Sequence, residues 1–265
     1  MYFVTATRMA LTEHARNRLA LWLVALYLPI WLTLSYLMIP AQRVRYVLRA
    51  PGETLWAQGN ELSQISGALN AVTQIVGFMM FSVTFNTSAF DRRLALAGYP
   101  RTYLVTAKTC VLITLSALIS GYATTAMTLF WHQQRPAVLA LSIFLAAITY
   151  GALGVLLGTL VRGELEGMFL ILMISIADVG LQNPIANHAA DNGYIRVLPI
   201  YGAMQAATAG GFSTTTPLTH LALQLTWFAA LTALGLIVFH RNTRDRSPRP
   251  GDAPDTLTEH SLPAA

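Results

Sequence analysis

Long apolar runs separated by short polar segments extend along most of the chain. Six of these runs approach the roughly 20 residues that a helix needs to cross about 30 Å of hydrocarbon. They occupy residues 19–39, 65–88, 104–131, 138–161, 167–187 and 219–239. The second run is the most polar, because it contains Asn70, Gln74 and Asn86. The pattern predicts an all-α integral membrane protein with six transmembrane helices.

Composition agrees with a bilayer, rather than water, as the solvent. Hydrophobic residues make up 54% of the 265 residues and charged residues only 11%, with a mean hydropathy of +0.51, whereas soluble domains carry about 25% charged residues. The net charge of +5 is confined to segments between apolar runs, so we expect no nucleic-acid partner. The single cysteine, Cys110, can form no disulfide within the chain. We therefore expect a multi-pass protein of the cell (plasma) membrane, in contact with membrane lipid.

The distribution of lysine and arginine predicts which side each segment faces. Short cytoplasmic loops retain these residues, and most of them lie in the N-terminal segment, in 90–108 and in the C-terminal tail. Both termini are therefore predicted to be cytoplasmic. Arg43, Arg45 and Arg49 then fall outside and argue mildly for the opposite orientation, but they are outnumbered.

Three regions follow from this orientation. Residues 1–18 form a cytoplasmic interfacial segment, 19–240 the six-helix transmembrane domain, and 241–265 a disordered cytoplasmic tail that is rich in proline and lacks apolar periodicity. Two long loops, 40–64 and 188–218, lie outside. The later loop contains GGFSTTTP and follows the polar end of the fifth run, so a short re-entrant or interfacial helix is predicted there.

No motif in the chain indicates catalysis or a bound cofactor. A phosphate-binding loop needs a glycine-rich turn before its Lys-Thr pair, but Lys108 and Thr109 follow Ala107 and no such turn. The patterns HExxH and GxSxG do not occur, and the six histidines are scattered rather than clustered as metal ligands are. We therefore expect no enzyme, no metal site and no cofactor in this chain.

Asp178 is the one clear acid inside a predicted span. An ionisable group at that depth costs about 2.5–3.5 kcal/mol on insertion scales and usually faces protein or water. Ser175 lies three residues before it and Gln182 four residues after it. This spacing places all three side chains on one face of the fifth helix.

A second polar stripe lies at similar depth on the second span. Asn70 and Gln74 are four residues apart, and Phe78 and Phe81 continue roughly the same side of that helix. The two stripes can meet across the bundle. Two interpretations stay open: the polar groups hydrogen-bond the helices to one another, or they line a route across the membrane.

The charged segment after the second span has the signals of a short helix. Ser88 and Asp91 fit a capping box, Gly98 suits the left-handed position after a helix, and Pro100 suits the first turn of the next one. A short cytoplasmic helix, DRRLALA, is therefore predicted between spans two and three. Its arginines indicate contact with lipid phosphates or a protein, although ordinary retention of positive charge is the alternative.

Several segments, in their order along the chain, resemble the membrane subunit of a type-2 ABC exporter. They are RMALTEHARNRLALWL near the N-terminus, FDRRLALAGYPRTYLVTAKT between spans two and three, and DVGLQNP at the end of the fifth span. The resemblance covers about residues 8–240. Its most specific part is the DRR and AGYPR segment after span two, which in that family forms the coupling helix.

The resemblance implies a separate P-loop ATPase subunit, which would carry ATP and Mg, and a second copy or paralogue of the permease. It also implies two sets of functional residues. The ATPase-coupling residues would be Phe90, Asp91, Arg92, Arg93, Leu94, Tyr99, Arg162, Glu164 and Glu166. The residues along the substrate path would be Asn70, Gln74, Phe78, Phe81, Asp178 and Gln182.

The function expected from this resemblance is outward transport of a hydrophobic or amphiphilic molecule, such as a drug, an antibiotic or a lipid. Alternating access would be powered by the partner ATPase, whose motion would push on the coupling helix. The main alternative is a structural or sensory membrane protein that docks a cytoplasmic partner without transport. An ion-coupled carrier would need more intramembrane ionisable residues than Asp178 alone.

Overall fold

The computed structural model describes Arg8, Thr12, 18–48, 53–96, Gly98, 101–183, 185–187 and 192–242. Seven helices and one hairpin follow one another in this part of the chain. The first helix, α1, is continuous through Arg18–Trp22, a π-helical turn Leu23–Tyr27, and Leu28–Leu37. The remaining elements are β1 Arg43–Leu48, β2 Glu53–Gln58, α2 Gly59–Leu96, α3 Arg101–Met127, α4 Pro136–Leu160, α5 Glu164–Gln182, a 3₁₀ turn Gly193–Val197, α6 Tyr201–Phe212 and α7 Leu218–Asn242.

Each of the six predicted spans coincides with a helix, and this helical architecture is consistent with a membrane-embedded protein. Within the described ranges, four helical stretches are long and apolar enough to cross a membrane. They are Gly59–Thr87, Val105–Met127, Pro136–Leu160 and Leu218–Arg241. The crossings by α1 and α5, and the side that each terminus faces, stay predictions.

Helix α4 lies at the centre of the bundle and packs against α2, α3, α5, α6 and α7. Its contact with α2 is close because two glycines face that helix. A methyl group added at Gly154 would overlap the carbonyl group of Gly77, and one added at Gly158 would lie 2.9 Å from Cβ of Thr84. The backbones of α2 and α4 therefore touch, which larger side chains at these two positions would prevent.

Helix α2 continues without a break through the segment predicted to start a new helix. It runs to Leu96, so the separate short helix beginning at Ser88 is corrected to the final turns of α2. Between Val83 and Leu96 the sequence has no glycine or proline, and its alanines and leucines favour helix. The first residue that ends the helix is Gly98, whose φ of 87° is the predicted left-handed conformation.

The β-hairpin is the one element of the described chain that the all-α prediction did not include. Its strands pair antiparallel from Arg43 opposite Gln58 to Leu48 opposite Glu53. One face of the sheet joins the core through Tyr46, Leu48 and Ala57. The hairpin occupies most of the predicted outer loop 40–64 and leads directly into α2.

Helix α6 is short but almost wholly buried. It lies in the predicted outer loop 188–218, and every residue from Tyr201 to Gly211 is buried. It contacts α2, α4, α5 and α7, so it fills the space between these helices at one end of the bundle. The short helix predicted in this loop is present, and whether it re-enters the bilayer stays a prediction.

Parts of the predicted domains lie outside the described residues. In the interfacial segment 1–18, only Arg8, Thr12 and Arg18 are described, and in the tail 241–265 only Arg241 and Asn242. The boundaries and character of these two regions therefore stay predictions. The side chains of Phe90, Asp91 and Arg92 also lie outside the description, although the backbone there belongs to α2.

Candidate functional site: a crevice between α1, α2 and α5

A crevice of about 460 Å³ lies between three helices, α1, α2 and α5. Helices α1 and α2 contribute aromatic rings, hydroxyl groups and amides, whereas α5 contributes mainly aliphatic side chains. The lining residues are Tyr27, Trp31, Ser35, Ser63, Ser66, Gly67, Asn70, Gln74, Leu172, Ile176, Val179, Gly180 and Asn183. Among the described lining residues none carries a carboxylate, ammonium or guanidinium group, so their polar groups are uncharged.

A chain of hydrogen bonds crosses the polar side of the crevice and joins its three helices. Tyr27, the last residue of the π-helical turn, donates from Oη to Oε1 of Gln74 at 2.9 Å. Gln74 Nε2 donates to Asn70 Oδ1 at 2.9 Å, and Asn70 Nδ2 donates to Ser175 Oγ at 3.2 Å. Ser175 also pairs with Thr73 at 2.8 Å. The polar stripes of spans two and five therefore meet at Ser175, as the sequence predicts.

Trp31 contributes an unused hydrogen-bond donor beside this chain. Its ring stacks on Tyr27 with centroids 5.8 Å apart. Its Nε1 is buried and has no hydrogen-bond partner within the described residues. Gly67 on α2 lets α1 approach, because a methyl group added there would overlap the hydroxyl of Ser35. A molecule entering the crevice could accept a hydrogen bond from this indole.

Asp178 lies outside the crevice, in the packing between α4, α5 and α6. Its side chain is only 2% exposed. Oδ2 accepts from Tyr150 Oη at 2.7 Å and from the Ile200 amide at 3.1 Å, and Oδ1 accepts from Gln182 Nε2 at 2.6 Å. Because Ile200 is the N-cap of α6, the carboxyl group sits at the positive end of that helix. Three donors and a helix terminus thus hold this acid.

Gln224 on α7 supports the same end of α6. Its Oε1 accepts from the amide of Ala203 at 3.0 Å, and its Nε2 donates to Oγ1 of Thr149 on α4 at 2.8 Å. The first amides of a helix have no partner within the helix and need one elsewhere when they are buried. Asp178 and Gln224 therefore complete the N-terminus of α6 and fasten it to the surrounding helices.

The connection between α3 and α4 completes the opposite end of α6. The amides of Gln134 and Arg135 donate to the carbonyls of Gly211 and Gly210 at 3.0 and 2.8 Å. The Arg135 guanidinium donates to the carbonyl of Thr214 at 3.0 Å, just beyond the helix. Other elements thus pair several terminal groups at both ends of α6, which helps to explain how a 12-residue helix is stable in a buried position.

The structure separates the six residues predicted along the substrate path. Asn70 and Gln74 line the crevice, whereas Phe78, Phe81, Asp178 and Gln182 are not among its lining residues. The Phe81 ring instead packs where Gly167 of α5 leaves room, since a methyl group there would overlap it. Sequence reasoning missed the α1 residues of the lining, because they lie in an ordinary apolar run without a spacing signal. The transport role of all six stays a prediction.

Those residues predicted to contact an ATPase that the structure describes lie at the end of the bundle opposite α6. Arg93 is exposed and Leu94 half-buried on the last turns of α2, while Tyr99 lies outside the described residues. Arg162, Glu164 and Glu166 are exposed around the start of α5. Ser82 of α2 donates to Glu164 at 3.4 Å, so the start of α5 lies beside α2 about three turns before Arg93. The predicted coupling role of these residues remains a prediction.

Among the residues that the structure describes, no group of three or more His, Cys, Asp or Glu side chains could hold a metal ion. No protein-family model matches the chain, and a search of curated proteins found no match either. The family resemblance therefore rests on the sequence segments alone.

Proposed function

We propose that this chain is the permease subunit of an ATP-driven exporter in the cell membrane and that the crevice between α1, α2 and α5 admits its substrate. A separate P-loop ATPase would bind ATP and Mg, and a second permease copy or paralogue would complete the transporter. The substrate would be a neutral amphiphile, such as a lipid, a drug or an antibiotic. Its polar groups would meet Asn70, Gln74 and the Trp31 indole, and its apolar part the aliphatic wall of α5.

The observation that carries this proposal is the continuity of α2. This helix has 38 residues, a length of about 57 Å, which exceeds the roughly 30 Å of bilayer hydrocarbon. In its first half, Asn70 and Gln74 line the crevice. Its last turns carry Arg92 and Arg93, which we call the basic segment. Because no break intervenes, a push on the basic segment would move the wall of the crevice.

The neutral lining supports the proposed class of substrate. An anionic or cationic substrate in a low-dielectric site needs an opposite charge, since an isolated buried charge is costly. The crevice offers hydroxyl, amide and indole groups instead, together with Leu172, Ile176 and Val179. Such a lining suits a molecule with a few hydrogen-bonding groups on a hydrophobic body.

The decisive experiment is purification of the tagged full chain from its native membrane, with mass spectrometry and an ATPase assay. We expect a P-loop ATPase to co-purify and its activity to respond to amphiphiles. The double variant Asp91→Ala and Arg92→Ala should lose stimulated ATPase activity and transport while it still inserts in the membrane. Arg196→Ala removes an exposed charge from the 3₁₀ turn and serves as the control. Normal transport by the inserted double variant would exclude the coupling role.

The second candidate is a structural or sensory protein that docks a cytoplasmic partner without transport. The hydrogen-bond chain from Tyr27 to Ser175 favours it, because these polar groups are already paired with one another and need no ligand. This candidate predicts that no ATPase co-purifies and that amphiphiles leave the crevice unoccupied.

A further inference from the structure

The two faces of the β-hairpin differ in chemistry. Tyr46, Leu48 and Ala57 are buried against the helices. Arg43 and Arg45 of β1 are exposed, and Trp56 of β2, which is 66% exposed, lies directly opposite Arg45. Because side chains alternate along a strand, the two arginines share one face with their Cα atoms about 7 Å apart. We call these three exposed residues the basic face.

The hairpin is anchored to the rest of the protein, so the direction of the basic face is fixed. The Gln205 side chain of α6 donates to the carbonyl of Val47 in β1 at 3.5 Å. At its base, the amide of Gly59 donates to the carbonyl of Gln42 at 2.8 Å. The buried face is thereby held against the bundle, and the basic face points away from it.

The base of the hairpin lies where α1 ends and α2 begins. Leu37 is the last residue of α1 and Met38 is its C-cap. They are 68% and 75% exposed, as expected for apolar groups that face lipid. Arg43 and Arg45 lie only one and three residues beyond Gln42, within about 10 Å along the strand. The headgroup region on each side of a bilayer is about 5–8 Å thick. With the end of α1 at the hydrocarbon boundary, long arginine side chains at these positions would reach the lipid phosphates.

We propose that the basic face binds the phosphate groups of anionic lipids at this boundary of the membrane. Arginine pairs with phosphate through two parallel hydrogen bonds, and tryptophan is enriched at headgroup level. The acids nearest in the chain are Glu53, at the opposite end of β2, and Glu61, in the first turn of α2. In the predicted orientation these arginines lie outside, where retention of positive charge does not account for them.

Anionic lipid suits this surface better than a second copy of the chain or a free phosphate ion does. A second copy meeting it through the same patch in a two-fold dimer would place arginines against arginines. A free phosphate ion would have to bind on an exposed sheet without an enclosing cavity. A bilayer instead supplies many phosphates at one fixed depth, so each arginine gains from being held at that depth.

Lipid titration of the purified full chain tests the proposal. In neutral detergent, phosphatidylglycerol should raise the melting temperature more than phosphatidylcholine does, and native mass spectrometry should detect the bound anionic lipid. Arg43→Gln with Arg45→Gln should weaken the apparent affinity for phosphatidylglycerol roughly 20-fold, since each arginine near an anionic surface contributes about fivefold. Arg196→Gln, which removes an exposed arginine outside the hairpin, should keep the wild-type affinity.

Further variants separate lipid binding from a folding defect and from other ligands. Arg43→Lys with Arg45→Lys keeps the charge but loses the paired hydrogen bonds, so its affinity should fall only a few-fold. Trp56→Ala should also reduce lipid retention without changing net charge. The proposal is overturned if both double variants bind phosphatidylglycerol like wild type, or if inorganic phosphate alone reproduces the shift. A change in oligomeric state without loss of lipid binding would also overturn it and assign the face to a second copy.

Discussion

Two polar clusters inside the bundle, both partly on α5, differ in what surrounds them. The amide cluster of Asn70 and Gln74 borders the crevice and meets α5 at Ser175. The acid cluster of Asp178 and Gln182 lies one turn further along α5, yet it faces α4 and α6 and borders no part of the crevice. Neutral amides thus face the cavity, and the ionisable group is enclosed in packing.

The different surroundings of Asn70 and Asp178 indicate that an acid within an apolar helix need not mark a transport route. Asp178 accepts hydrogen bonds from Tyr150, Gln182 and Ile200, and the last of these is the backbone amide at the N-cap of α6. The acid therefore provides an acceptor for a buried amide at the start of the short helix α6. The Asn70 side chain pairs with no amide at a helix end. Because it borders the crevice, it is a better candidate than Asp178 for contact with a ligand.

Removing the Asp178 side chain should reduce the stability of the protein more than any other substitution in these two clusters. Asp178→Ala removes the acceptor of three donors in a buried site, although the Tyr150 hydroxyl keeps the carbonyl oxygen of Ile174 at 3.4 Å as a second acceptor. An unpaired buried donor costs about 1–3 kcal/mol in soluble proteins, whereas a hydrogen bond between membrane helices contributes on average about 0.6 kcal/mol. We expect a loss of about 2–4 kcal/mol, seen as a fall of roughly 5–10 °C in the melting temperature in detergent.

Asp178→Asn is the matched control for that experiment. Its amide keeps one acceptor oxygen but brings an NH₂ group to face one of the existing donors, so we expect about half of the destabilisation. If Asp178→Ala melts like wild type and yet loses binding of an amphiphile, the acid belongs to the substrate path and does not serve to support α6.

A smaller effect is expected at Gln224, the second support of α6. Gln224→Ala leaves the Ala203 amide without its acceptor and Thr149 without one donor, which should cost about 1–2 kcal/mol. Thr226→Ala is a control on the same helix, since its exposed hydroxyl donates to the carbonyl of Ala222 within that helix. Equal melting temperatures for the two variants would show that α6 does not depend on this side chain.

The positions of the helices could be predicted from the sequence, whereas their ends and partners often could not. Six apolar runs were long enough to specify six helices. The capping pattern at Ser88 predicts a helix start that the structure does not contain. Such a pattern starts a helix only where the preceding helix ends, and α2 continues to Leu96, just before Gly98. The sequence signal for the hairpin is weak, since only the first four residues of RVRYVL alternate between charged and less polar side chains and Val47 breaks the pattern.

The candidate site could be predicted only in part, for a similar reason. Spacing along one helix placed Ser175, Asp178 and Gln182 on the same face, and all three are indeed buried. Spacing does not show which neighbouring helix that face meets. Tyr150, 28 residues before Asp178, had no feature that distinguished it as the partner of the acid.

The smallest effect on stability is expected at the crevice itself. Asn70→Ala removes hydrogen bonds with Gln74 and Ser175, but the crevice gives these groups room to find water or each other. We therefore expect a loss below about 1 kcal/mol, together with several-fold weaker binding of a neutral fluorescent amphiphile such as Nile red. Asp178→Asn, measured beside it, should lower stability more and probe binding less. If Asn70→Ala instead destabilises the protein as strongly as Asp178→Ala and leaves probe binding intact, both clusters serve only to join helices.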